Sequence, residues 1–83
     1  MPRTPHPPAP LTLVTDWRDR AGKSLRRRRK ELAWSRERLS EVAGYSRTHV
    51  NKAERGEVSF ESFVLTCAAL GKKPSEIFAE AGL

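Results

Sequence analysis

The stretch from Ser46 to Arg55 reads SRTHVNKAER, and its side chains are of the kinds that hydrogen-bond directionally to flat, polar ligands. Arg47 carries a planar fork of donors, Asn51 a paired donor and acceptor, Thr48 a hydroxyl with a methyl, and Lys52 a mobile ammonium. At helical spacing these four fall on one side, and Val50 and Ala53 fall on the other. The edges of nucleic-acid bases offer matching groups. Guanine O6 and N7 suit Arg47, adenine or a phosphate suits Asn51, a base edge or thymine methyl suits Thr48, and guanine or the backbone suits Lys52. His49 lies among them, but the other histidine, His6, stands far off in the N-terminal stretch. Without partners at ligand spacing, His49 reads as a phosphate contact and not as a metal ligand. The chain shows no paired carboxylates, no Ser/His/Asp set, no metal-ligand spacing and no Gly-rich phosphate loop, so no enzyme, cofactor or small-molecule ligand is expected.

The bulk composition points the same way. Sixteen Lys and Arg against ten Asp and Glu leave a formal charge of +6 on 83 residues, which favours a polyanionic partner. DNA or RNA fits best, and an anionic membrane surface is the lesser candidate. No apolar run reaches the roughly 18 residues of a membrane span. Prolines from Pro2 to Pro10 interrupt any signal-peptide core, so a cytoplasmic location is expected. The single cysteine, Cys67, allows no internal disulfide and reads as a small buried apolar residue.

The elements that position the polar stretch follow from spacing and punctuation. Residues 1–15 contain five prolines in the first ten positions and are expected to form a flexible or extended arm, because each proline lacks an N–H and fixes φ. Residues 16–83 are expected to form the folded domain. Asp16 suits a helix cap, and Trp17, Ala21, Leu25 and Leu32 recur at helical spacing. Gly22 weakens the middle, so the first helix is placed most securely over Lys23–Leu32, with a break near Gly22. Ser35 caps a second helix, Arg36–Ala43, which Gly44 ends; Tyr45 points back to the core. Ser46 caps a third from Arg47 to about Arg55, ended by Gly56. Ser59 caps a fourth with an apolar stripe of Phe60, Phe63, Val64, Cys67 and Leu70, closed by Gly71. Pro74 opens a fifth with Ile77, Phe78 and Ala81 inside it. The expectation is an all-α chain of five helices, in which the second and third meet the description of a helix-turn-helix.

The run Ser35–Gly56, SRERLSEVAGYSRTHVNKAERG, followed by Val58–Phe78, VSFESFVLTCAALGKKPSEIF, resembles the Cro/CI-type (XRE-like) helix-turn-helix family of phage repressors and small bacterial regulators. The resemblance spans Leu25–Phe78 and rests on Leu39, Ala43-Gly44, Ser46-Arg47, Val50 and Glu54-Arg55-Gly56. It implies a five-helix lambda-repressor-like DNA-binding domain with Arg47, Thr48 and Lys52 at base-reading positions. Arg36 stands where the family often has Gln. It is expected to contact phosphate from the start of its helix, as are Ser46, Arg38, His49 and Arg55. The family also pairs an arginine, here Arg29, with the glutamate at Glu54, which implies a buried structural ion pair. Arg28 and Lys72 depart from the pattern, each standing where an apolar residue is usual. The run Arg26–Lys30 looks like a basic patch, but five consecutive helical residues spread around the whole circumference and cannot all face one ligand.

One recognition helix reads too few base pairs to define a genomic site. A homodimer on double-stranded DNA is therefore expected, with half-sites about 34 Å apart or a multiple of it. Its expected interface is Ile77, Phe78 and Leu83, with Phe78 outward. With no second domain in view, the chain is expected to act by where it sits, as an autoregulating repressor or dual activator/repressor on a palindromic operator. The alternative is a protein-interaction module of the same fold, an antitoxin partner or anti-activator; Arg47 and Lys52 speak against it.

Overall fold

The computed structural model describes residues 8–83, which fold into five α-helices: α1 (Pro8–Glu31), α2 (Arg36–Ala43), α3 (Arg47–Glu54), α4 (Phe60–Ala69) and α5 (Pro74–Glu80). No strand occurs among these residues. Serines start three of the helices. Ser35 Oγ accepts from the Arg38 N–H at 3.0 Å, Ser46 Oγ from His49 at 3.2 Å and Ser59 Oγ from Ser62 at 3.2 Å. Each such cap satisfies an N–H that has no partner inside the helix and contributes about 1 kcal/mol. Gly44 stops α2 in the left-handed region, φ 79°, with its N–H donating to the Ser40 carbonyl at 2.9 Å.

The core collects one or two side chains from every helix. Ala21 and Leu25 come from α1, Leu39 from α2, Val50 and Ala53 from α3, Phe63 and Cys67 from α4, and Ile77 from α5, with Leu70 just past α4. Burial pushes the Cys67 thiol up to about 11, so it stays protonated near neutral pH and acts as apolar filler.

The structure departs from the sequence pattern in α1. The helix begins at Pro8, not at Asp16, and continues through Gly22 without a break. Two prolines fit because Pro8 and Pro10 occupy the first turn, where the N–H groups lack helical partners anyway. The arm expected over residues 1–15 is thus helical from residue 8 on; residues 1–7 lie outside the described residues. Past these turns, the half of α1 before Gly22 is held from a distance. Trp17 packs edge-on against Phe63 (6.5 Å between centroids) and Phe78 (5.9 Å), and Arg18 Nη1 donates to the Val58 carbonyl at 2.7 Å.

Gly22 is where α1 crosses the end of α3. A Cβ there would lie 2.6 Å from the Glu54 carbonyl oxygen and 2.9 Å from the Gly56 nitrogen, both backbone atoms. The residue costs helix propensity but permits the two backbones to touch. Gly22→Ala is accordingly expected to lower stability by about 1–3 kcal/mol, although alanine is the better helix former by about 1 kcal/mol. A urea titration followed by circular dichroism checks the sign; a stabilised variant would refute this account of the crossing.

Candidate nucleic-acid interface

The turn Gly44–Ser46 swings α3 across α2, and three attachments hold it there. Val50 and Ala53 are buried beneath it. Tyr45, in the turn, hydrogen-bonds through its hydroxyl to the buried Thr66 hydroxyl of α4. At the far end, Arg29 of α1 grips Glu54 through two parallel hydrogen bonds, Nε to Oε2 at 2.5 Å and Nη2 to Oε1 at 3.2 Å, and donates a third from Nη1 to the Trp34 carbonyl at 2.8 Å. The two side chains are 7% and 4% exposed, so the pair works in a low-dielectric setting with its donors and acceptors satisfied.

What this leaves outside is the polar side of α3. Arg47, Thr48 and Lys52 are exposed and Asn51 is half-buried. Among the described residues, none of the charged pair, Arg47 and Lys52, has a carboxylate within ion-pairing distance. Beside Asn51 lies an open concavity of about 350 Å³ lined by Arg26, Arg36, Asn51, Glu54 and Arg55. Arg36, at the first position of α2, is half-exposed and leans on Glu54, Nε to Oε1 at 3.4 Å. Arg55 pairs with Glu57 at 3.3 Å on the surface. Ser46 is exposed, with its oxygen occupied as the α3 cap. Arg38 sits over the Trp34 ring, 5.7 Å from its centroid, and 3.6 Å from Glu41.

A helix presented by its polar side, two glycine-punctuated neighbours and a buried Arg–Glu fastener form a recognisable unit. The family model described as helix-turn-helix matches residues 25–77. The chain belongs to the Cro/CI-type (XRE-like) helix-turn-helix family. It is, at that level, a DNA-binding transcriptional regulator. Among solved structures it is similar to the clp gene regulator ClgR from C. glutamicum, with a TM-score of 0.73 and 27% identity over 96% of this chain and 95% of that one. No curated protein matches the chain. Among the described residues no helix is long and apolar enough to cross a membrane.

Within this helix-turn-helix unit several side chains lie elsewhere than the sequence pattern placed them. His49 does not face outward as a phosphate contact. Its ring turns onto Tyr45, 4.5 Å between centroids, and its Nε2 is buried without a hydrogen-bond partner. Its position one turn from Ala53 carries it toward the buried side. Ile77 is fully buried and cannot serve a dimer surface. Phe78 is half-buried and turned inward, stacked on Phe63 at 5.2 Å and against Trp17. The spacing that put Trp17 on the first helix does not reveal its partner in α5; the unbroken run of α1 through Gly22 brings Trp17 to Phe78. Leu83 is half-buried, with its N–H donating to the Phe78 carbonyl at 2.9 Å. The family departures at Arg28 and Lys72 are both accommodated. Arg28 Nε donates to the Leu70 carbonyl at 3.0 Å and Lys72 pairs with Glu80 at 3.1 Å, so each buries its stem and satisfies its head. The residue that sequence reasoning passed over is Arg26. Its spacing of three from Arg29 puts it beside the α3 contact, a signal hidden within the longer basic run.

Proposed function

We propose that this helix-turn-helix regulator reads duplex DNA by laying α3 in the major groove. Arg47, Thr48, Asn51 and Lys52 would contact base edges, and Arg36, Arg38, Arg55 and Ser46 the phosphates. The observation that carries the reading is the separation of faces on α3: Val50 and Ala53 are buried while Arg47, Thr48 and Lys52 stand exposed. Two copies on a palindromic operator in the cytoplasm, with half-sites about 34 Å apart, would give one α3 per successive major groove. The chain would then repress, or both activate and repress, its own gene. The likeness to ClgR, named as a gene regulator, supports a regulatory role.

Selection of bound sequences from a random DNA pool tests this reading, since it returns half-site, spacing and symmetry together. On the selected site, Arg47→Ala is expected to weaken binding by about 1–3 kcal/mol and to relax preference at one position of each half-site. Arg36→Ala should weaken all sequences alike. If Arg47→Ala left both affinity and preference unchanged in a gel shift, α3 would not be the reading element.

A further inference from the structure

The basic run on α1 is not spent uniformly. Arg29 is committed to Glu54, Arg28 to the Leu70 carbonyl and Glu31, and Arg27 reaches the Glu80 carbonyl at the end of α5 at 3.4 Å. Arg26 and Lys30 remain. Both are exposed, and no carboxylate among the described residues lies within ion-pairing distance of either. One turn apart at i and i+4, they share a side of α1. Arg26 borders two depressions at once. One is the concavity it shares with Arg36, Asn51 and Arg55 next to α3. The other is an open groove of about 570 Å³ along α1, lined by Lys23, Arg26, Arg27, Lys30 and Glu31. Glu54 lies buried in the first depression and Glu31 in the second is paired with Arg28, so through Arg26 the uncommitted positive side chains extend from Arg36, beside α3, onto α1. In that groove Lys23 is partly offset by Asp19 at 3.2 Å.

We propose that Arg26 and Lys30 form a second phosphate-binding row, which takes the sugar–phosphate backbone of the same duplex beside the half-site that α3 reads. This rests on the reading of α3 given above. The row has the chemistry for it: two unpaired cations one helical turn apart, continuous with Arg36 at the start of α2. Placed against the sugar–phosphate backbone, its cations meet phosphates and not base edges, so the row adds affinity and salt sensitivity without altering preference. Arg27 also borders the α1 groove, but its guanidinium reaches across to the Glu80 carbonyl at 3.4 Å and so is turned away from the row.

The test is the salt dependence of binding to the selected operator, measured with the full chain as the slope of log K against log salt concentration. Each phosphate contact contributes about 0.9 to that slope. The double variant Arg26→Gln/Lys30→Gln is expected to flatten it by roughly two units, with an unchanged order of preference among mutated operators. Arg27→Gln removes one charge from the same helix and is expected to change the slope by less than about half a unit. A double variant whose slope falls no further than that of Arg27→Gln would overturn the row, and would leave the two cations to an acidic protein partner instead. A wild-type chain that prefers no DNA sequence at all would instead overturn the reading of α3, an outcome distinguishable from the first because it precedes any substitution.

Discussion

Glu54→Ala is expected to strip the protein of most of its stability. The glutamate is 4% exposed and holds two parallel hydrogen bonds from Arg29, itself 7% exposed, plus a longer contact from Arg36. Removing it strands a guanidinium with no counter-charge in a place water barely reaches, and breaking such a pair costs roughly 3–5 kcal/mol. A small domain is stable by about 5–15 kcal/mol in all, and one this short lies toward the low end. The melting midpoint should fall on the order of 15–30 °C, read by circular dichroism at 222 nm. DNA binding would be lost through the fold and not through a missing base contact. Arg29→Lys keeps the charge but has no planar fork, so its midpoint should lie between those of Glu54→Ala and the wild type. A Glu54→Ala protein that melts within a few degrees of wild type would show that the pair holds nothing together.

Phe63→Ala is the second large effect. Its ring is 4% exposed and lies between Trp17, Phe60 and Phe78 at 6.5, 6.1 and 5.2 Å. The truncation removes contacts to α1 and α5 together and leaves a cavity that neither helix can close alone, costing about 3–5 kcal/mol. Urea unfolding followed by tryptophan fluorescence should show the loss of stability. The native signal should also change, because Trp17 loses one of its two aromatic neighbours. A cost under about 1 kcal/mol would mean that the aromatic group is loosely packed.

This aromatic group also shows where sequence reasoning stops. The caps at Ser35, Ser46 and Ser59, the stop at Gly44 and the start at Pro74 act within a few residues, so their chemistry is written locally and the helices they bound could be read off. Trp17 meets Phe78 across sixty-one positions, and no local periodicity announces that meeting. The outward placement of Phe78 failed for that reason. Gly22 misled in the opposite sense: local propensity marks it as a weak point, whereas the need for it lies in the backbone of α3. At the candidate interface the exposed side of α3 was legible from its 3.6-residue period. The Arg29–Glu54 contact came only through family resemblance, since nothing in spacing alone selects Arg29 from five adjacent cations. His49 departs from the phosphate role because its place one turn from Ala53 tips it to the buried side, where the Tyr45 ring meets it.

The shared carboxylate of Glu54 has one more consequence. Arg29 saturates it from the inside, while Arg36 touches it only from the rim at 3.4 Å and is half-exposed. Arg36 can swing away toward a passing anion and leave no orphaned charge behind. Capture of the ligand and integrity of the scaffold are thereby uncoupled, so this contact site is open to change over generations at little risk to folding.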